Sequence, residues 1–168
     1  SPYVMNSTTS TASVDTLFLG KQHLGGIIFY LYKDSTGTQH GLVVSKTEGG
    51  PLVLDGNGGF MGTRTEDGAY NTSYLITLAG TAPGWINTNY SGWYMPAIDE
   101  LNILWNNRFH VNKTARAIGS TLLSATYTYW SSTTVTSSTA YSISFSTGAV
   151  TQIQRTTNTV YVRAVKSF

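Results

Sequence analysis

Between Tyr141 and Ser146 the chain alternates: Tyr141, Ile143 and Phe145 are large and apolar, while Ser142, Ser144 and Ser146 are small and polar. Successive side chains of a strand point to opposite faces, so a period of two gives one face to bury and one to wet. Gly148 supplies a turn, and residues 150–154 and 160–165 supply the next two strands. From Tyr127 onward the sequence therefore reads as a strand meander.

The start reads as a hairpin. Residues 26–32 are rich in Ile, Phe and Tyr, residues 33–38 carry turn formers, and residues 41–45 are again β-branched. Glu48, Gly49, Gly50 and Pro51 break the chain, Leu52 to Leu54 make a small strand, and residues 55–66 are expected to be loop. Asp67 is placed to cap a helix with Tyr70, Tyr74, Leu75 and Leu78 facing inward, ended by Gly80. After a loop containing Trp85, a second helix is predicted from Pro96, burying Ile98, Leu101, Leu104 and Trp105, with Asp99, Asn102 and Asn106 outward. This order specifies an α+β domain, two helices packed on a twisted antiparallel sheet.

At 168 residues the chain fits one domain, read as residues 17–168. Residues 1–16 are rich in Ser and Thr and read as a linker or the end of a fibre shaft, so the domain is expected to be cut from a longer protein. Only 11% of residues are charged, which suits a β-rich extracellular surface. The net charge of +2 carries no basic footprint for nucleic acid, and no apolar run is long enough for membrane insertion. With no cysteine, disulfides, zinc thiolates and thiol nucleophiles are all excluded.

Five blocks carry a resemblance. They are residues 24–30 (Leu-Gly-Gly-Ile-Ile-Phe-Tyr), residues 40–44 (His-Gly-Leu-Val-Val) and residues 92–101 (Gly-Trp-Tyr-Met-Pro-Ala-Ile-Asp-Glu-Leu), then residues 129–132 (Tyr-Trp-Ser-Ser) and residues 161–166 (Tyr-Val-Arg-Ala-Val-Lys). From about Gly20 to Phe168 the chain resembles the Legionella collagen-like protein C-terminal domain family, itself similar to C-type-lectin-like and formylglycine-generating-enzyme-like folds. The resemblance implies a C-type-lectin-like fold in which first and last strands pair and the termini lie close together. Family members usually carry Ser or Thr where this chain has Ala97, so only Glu100 of a helix-capping box remains.

Catalytic signatures are missing: there is no Gly-x-Ser-x-Gly, no His-Glu-x-x-His and no phosphate loop, and His23, His40 and His110 are scattered. Formylglycine-type activity needs reactive cysteines. No cofactor and no metal are expected: the turn at residues 55–59 has oxygen ligands of the calcium type, but the twelve-residue calcium-loop pattern fails, and the Glu-Pro-Asn or Gln-Pro-Asp triplets of calcium lectins do not occur. Trp93, Trp105 and Trp130 read as packing, leaving Trp85 as the aromatic candidate for a ligand. The sequons at Asn6, Asn71, Asn89 and Asn112 arise readily in Ser/Thr-rich sequence and decide nothing.

Short hydroxyls and amides give directional hydrogen bonds at low entropic cost, so the polar stretch from Thr133 and the turn at residues 154–158 are the expected ligand face. Its candidate residues are Trp85, Thr134, Thr136, Ser138, Gln154, Arg155, Thr157 and Asn158. Arg108, Lys113 and Arg116 form a second candidate, a basic patch for acidic polysaccharide.

The expected function is non-enzymatic: an adhesive or receptor-binding tip of an extracellular fibre or surface protein, assembled as a homotrimer and recognising cell-surface glycan or other polysaccharide. A phage tail-fibre tip on the virion and a structural fibre cap without its own ligand are the alternatives. A polysaccharide hydrolase would have to draw its paired carboxylates from Asp67, Asp99 and Glu100.

Overall fold

The computed structural model describes residues 16–56 and 61–168; the linker reading of residues 1–16 lies outside them except at Thr16, as does most of the glycine-rich turn. In chain order the elements are β1 (Gln22–His23), β2 (Gly26–Lys33), β3 (Gln39–Val44), α1 (Gly68–Ser73), α2 (Ala82–Asn89), α3 (Ile98–Asn106), α4 (Arg108–Ile118), β4 (Thr128–Thr134), β5 (Thr139–Ser144), β6 (Val150–Gln154) and β7 (Val165–Ser167). The α+β expectation is met, with two antiparallel sheets among the described residues rather than one: β1-β2-β3-β7 and β4-β5-β6.

The hairpin forms as the sequence implies, Ile27 opposite Val44 and Lys33 opposite Gln39, with a bulge between Ile28 and Tyr30. The last strand differs from expectation. β7 begins only at Val165 and pairs with β3, not with the first strand. Residues 160–164 are bonded yet not laddered, because they change partner as they run: Tyr161 bridges to Tyr129 and Val162 to Gly49, and at the start of β7 Val165 also bridges to Tyr94. The first strand and the chain end still meet, the rings of His23 and Phe168 packing edge-on at 4.7 Å.

In the meander, Ile143 opposes both Tyr129 and Val150. Ile143 and Phe145 are buried as their alternation implies, while Tyr141 is only half-buried. Ser142 is buried as well, its hydroxyl 2.9 Å from that of Thr151.

Asp67 caps α1 as predicted, accepting from the Tyr70 N–H at 2.9 Å, but the helix stops at Ser73 and Tyr70, Tyr74 and Leu78 are exposed. Its inward face is small and polar instead. Gly68 lies so close to the preceding segment of α3 that a Cβ would sit 2.3 Å from the Met95 carbonyl, and Asn71 is buried, bonded to both backbone groups of Arg64. Of the four predicted inward residues only Leu75 is buried.

Residues 82–89, read as loop, form α2; the Thr81 hydroxyl accepts from the Gly84 N–H at 3.1 Å and Pro83 sits in the first turn. Helix α4 is also additional to the predicted pair. Helix α3 buries Ile98, Leu101 and Leu104 as expected and leaves Trp105 half-buried.

Ala97 offers α3 no side-chain cap, and β4 supplies the missing oxygen. The Thr133 hydroxyl accepts from the Ile98 N–H at 3.0 Å and donates to the Arg64 carbonyl at 2.9 Å, while the Thr65 carbonyl takes the Asp99 N–H at 2.9 Å. A cap contributed across the fold thus replaces the local one and ties helix, loop and sheet together. Thr133→Val, which keeps the shape and removes both bonds, is expected to cost about 2 kcal/mol, read as a lower urea midpoint at unchanged slope.

Two buried clusters fill the interior. One joins the four-stranded sheet through Ile27, Phe29 and Val44 to α3, α4 and Ile143; the other gathers Leu54, Ile86, Met95, Val162 and Ala164 around Trp130, whose indole donates to the Leu52 carbonyl at 2.8 Å.

Candidate functional site

The polar C-terminal stretch divides sharply. Thr134 is buried, its N–H and hydroxyl both donating to the Gly62 carbonyl, at 2.8 and 3.1 Å. Arg155 is 0% exposed and forms a two-pronged ion pair with Asp55, also 0% exposed: Nε donates to Oδ1 at 2.8 Å and Nη2 to Oδ2. Both residues are internal ties, so neither forms part of an exposed ligand face. Thr136 is exposed, but its hydroxyl accepts from the Ser138 and Thr139 N–H groups and closes the β4–β5 turn. Ser138 and Thr157 are half-buried; Gln154 and Asn158 remain exposed.

Trp85 is half-buried rather than free. Gly49 lies against its ring, where a Cβ would come within 2.4 Å, and Tyr90 packs 5.5 Å away. One edge of the indole lines a hollow of about 230 Å³ beside Leu52 and Thr88.

The three basic candidates do come together. Helix α4 buries Val111 and Ala115; along its flank Arg108, Asn112 and Arg116 follow one another at i, i+4 and i+8, Arg108 and Asn112 half-buried, with exposed Phe109 and Lys113 alongside, and the Asn112 amide is bonded to both backbone groups of Leu123. With Asn106 these side chains line a depression of about 600 Å³ whose lining contains no carboxylate. Arg108 is braced: its guanidinium lies 4.1 Å over the Trp105 ring and Nη1 donates to the Trp105 carbonyl at 2.7 Å. A guanidinium held flat on a ring keeps its remaining N–H groups pointed outward at little entropic cost. Lys113 and Arg116 are exposed, and Phe109, 67% exposed, adds an apolar surface among the charges.

The profile of the Lcl C-terminal domain family matches residues 52–166, well over half of the chain. The chain belongs to this family. Searched against curated proteins, it returns no match. Within the Lcl C-terminal domain the matched span holds α1 to α4, the whole meander and the bridging segment, so the α4 depression lies inside it, whereas the β2–β3 hairpin precedes it. The family groups domains of fibre and surface proteins, and no helix among the described residues is long and apolar enough to cross a membrane.

The last two blocks, residues 129–132 and 161–166, prove to be structural. Trp130 and Ser131 are buried, and Arg163 is buried with its guanidinium donating to the carbonyls of Ser45, Thr121 and Leu122. Sequence reading found the three cations of the α4 stripe and missed Asn106, Phe109 and Asn112; the signal available was the i, i+4 spacing of Phe109 with Lys113 and of Arg108 with Asn112.

Proposed function

We propose that this Lcl C-terminal domain is a non-enzymatic recognition tip that binds an anionic cell-surface polysaccharide through the outer stripe of α4. Support comes from one observation above all: three cations and an exposed phenyl ring share an open depression with no acid in its lining. Guanidinium groups pair with sulfate or carboxylate in two-pronged fashion, and the ring covers C–H faces of a sugar. The depression supplies charge and contact surface and no pair of proton-transferring groups, which favours binding over turnover. Weak contacts of this kind become effective when three tips share one shaft, so a homotrimer belongs to the same proposal.

The test is binding of a highly sulfated glycosaminoglycan, with uncharged dextran as the control. Lys113→Glu with Arg116→Glu is expected to weaken binding by about tenfold or more at physiological salt while leaving the melting temperature unchanged, because both side chains are exposed. Wild-type binding should fall steeply as salt is raised. Equal binding by the double variant would remove α4 as the site. A stable trimer by light scattering that binds no glycan at all would favour the fibre-cap reading instead.

A further inference from the structure

A second concavity has the opposite character. It lies between the β2–β3–β7 surface and the start of α3, holds about 330 Å³, and is lined by four carboxylates, Glu66, Asp67, Asp99 and Glu100. Those are four of the eight acids in the whole chain, and none of its ten Lys and Arg residues shares the lining, in a molecule whose net charge is +2. Tyr30 and Tyr32 form one wall, their rings 5.7 Å apart, and Tyr94 and Ile103 complete the cleft.

Acids alone do not make a site, and Asp67 is already engaged, by the Tyr70 N–H and by Arg64. Glu100 supplies the independent sign. It is only 7% exposed; Oε1 accepts from the Gly68 N–H at 2.7 Å, but Oε2 is shielded from water and has no hydrogen-bond partner. The Tyr94 hydroxyl is near enough to act on the carboxyl without forming a bond of good geometry. Burial pushes the carboxyl up to about 7, against the Gly68 N–H, the Tyr94 hydroxyl and the Ala97 N–H, which lower it. A buried acceptor lacking a donor costs stability unless something fills the vacancy.

Among the described residues no three acid or histidine side chains converge as a metal would require. Spread carboxylates beside tyrosine rings suit a larger, softer cation, and acceptor oxygens reward one that carries N–H donors.

We infer that this cleft binds a primary alkylammonium group, with Asp99 and Glu66 as its outer acceptors, Tyr30 and Tyr32 as its ring wall and Glu100 as the negative floor. The site is separate from α4 and does not depend on it. Lysine side chains and amino sugars both carry this group and are the two sources to be told apart. Arrival of the cation favours the ionised form of Glu100, so binding releases protons and strengthens as pH rises from 6 to 8. The titratable groups that share the cleft with Glu100 are Glu66 and Asp67 ahead of α1, Tyr94 ahead of α3, Tyr30 and Tyr32 on β2, and Asp99 on its own helix; Asp67 opposes ionisation of Glu100, and its pair with Arg64 persists throughout this range.

The experiment is an NMR titration of the intact domain with n-butylammonium, with tetramethylammonium as a cation of equal charge that has no N–H. Butylammonium should bind about fivefold or more tighter, perturbing residues of the cleft and not those of α4. Exposed Asp99→Asn should weaken it by about threefold without touching the fold, and Glu100→Gln should weaken it further and abolish its pH dependence. Parallel titrations with Nα-acetyl-lysine amide and with glucosamine tell which source the cleft prefers. Equal binding of the two ammonium ions, no binding at pH 8, or undiminished binding by Asp99→Asn would each overturn the inference.

Discussion

Arg155→Ala is expected to be severely destabilising. The arginine and Asp55 are both fully buried and bonded through two parallel N–H groups, and Nη1 reaches the Ser137 carbonyl at 3.3 Å. Removing one member of such a pair strands the other charge in the interior, which costs about 3–5 kcal/mol, a large share of the stability of a domain this size. Asn158→Ala, at an exposed residue of the following turn, should stay within about 0.5 kcal/mol of wild type. Chemical denaturation of the two variants side by side checks both expectations. Replacing Asp55 and Arg155 together by apolar residues of similar volume should recover most of the loss, because the interior then holds no unpaired charge. A mild effect of Arg155→Ala on its own would mean that the pair contributes little.

Raising the pH from 5 to 8 should weaken the domain, and Glu100→Gln should remove that weakening. Burial lifts the Glu100 carboxyl from its usual 4.5 to about 7, so between these values the folded state holds a proton that the unfolded chain has released. Stability linked to this group is therefore complete below pH 4.5, declines as pH rises toward 7, and is level above it. At ~1.4 kcal/mol per pKa unit the full span is about 3–4 kcal/mol at most. Glutamine can keep the bond from the Gly68 N–H and never ionises. The variant should accordingly match or exceed wild type at pH 8 by about 1–2 kcal/mol and show no gain at pH 4.5, since some of the span is lost in burying the new amide. Denaturation midpoints measured across this range decide it; parallel pH curves for the two proteins would refute the assignment of the titration to Glu100.

Legibility in the sequence followed the periodicity. The hairpin, the Asp67 cap and the buried stripe of α3 were readable because each rests on local spacing that tertiary contacts only reinforce. The face of α1 was misread because three large apolar side chains outvoted Gly68 and Asn71, although close approach to Met95 needs a small residue and the Arg64 loop needs an amide. Helix α2 escaped because Pro83 and Gly84 read as turn residues, and because its stop-start apolar pattern contains only three buried side chains past the cap, Ala82, Pro83 and Ile86. Arg155 looked like a surface residue in a polar turn; its partner is 100 positions away, and no local pattern announces a buried ion pair of that separation. The α4 cations were found because a helix brings close what the sequence already spaces at three and four.

The bridging segment near the end of the chain takes part in both interior clusters, Val160, Val162 and Ala164 in one and Val165 in the other, while its backbone reaches Gly49, Tyr94 and Tyr129 in turn. A nascent chain halted before it would hold a hairpin, helices and a meander whose two buried clusters each lack part of their filling. Native structure must then wait until this segment has left the ribosome, and a frameshift or stop within it would discard the whole domain rather than trim it.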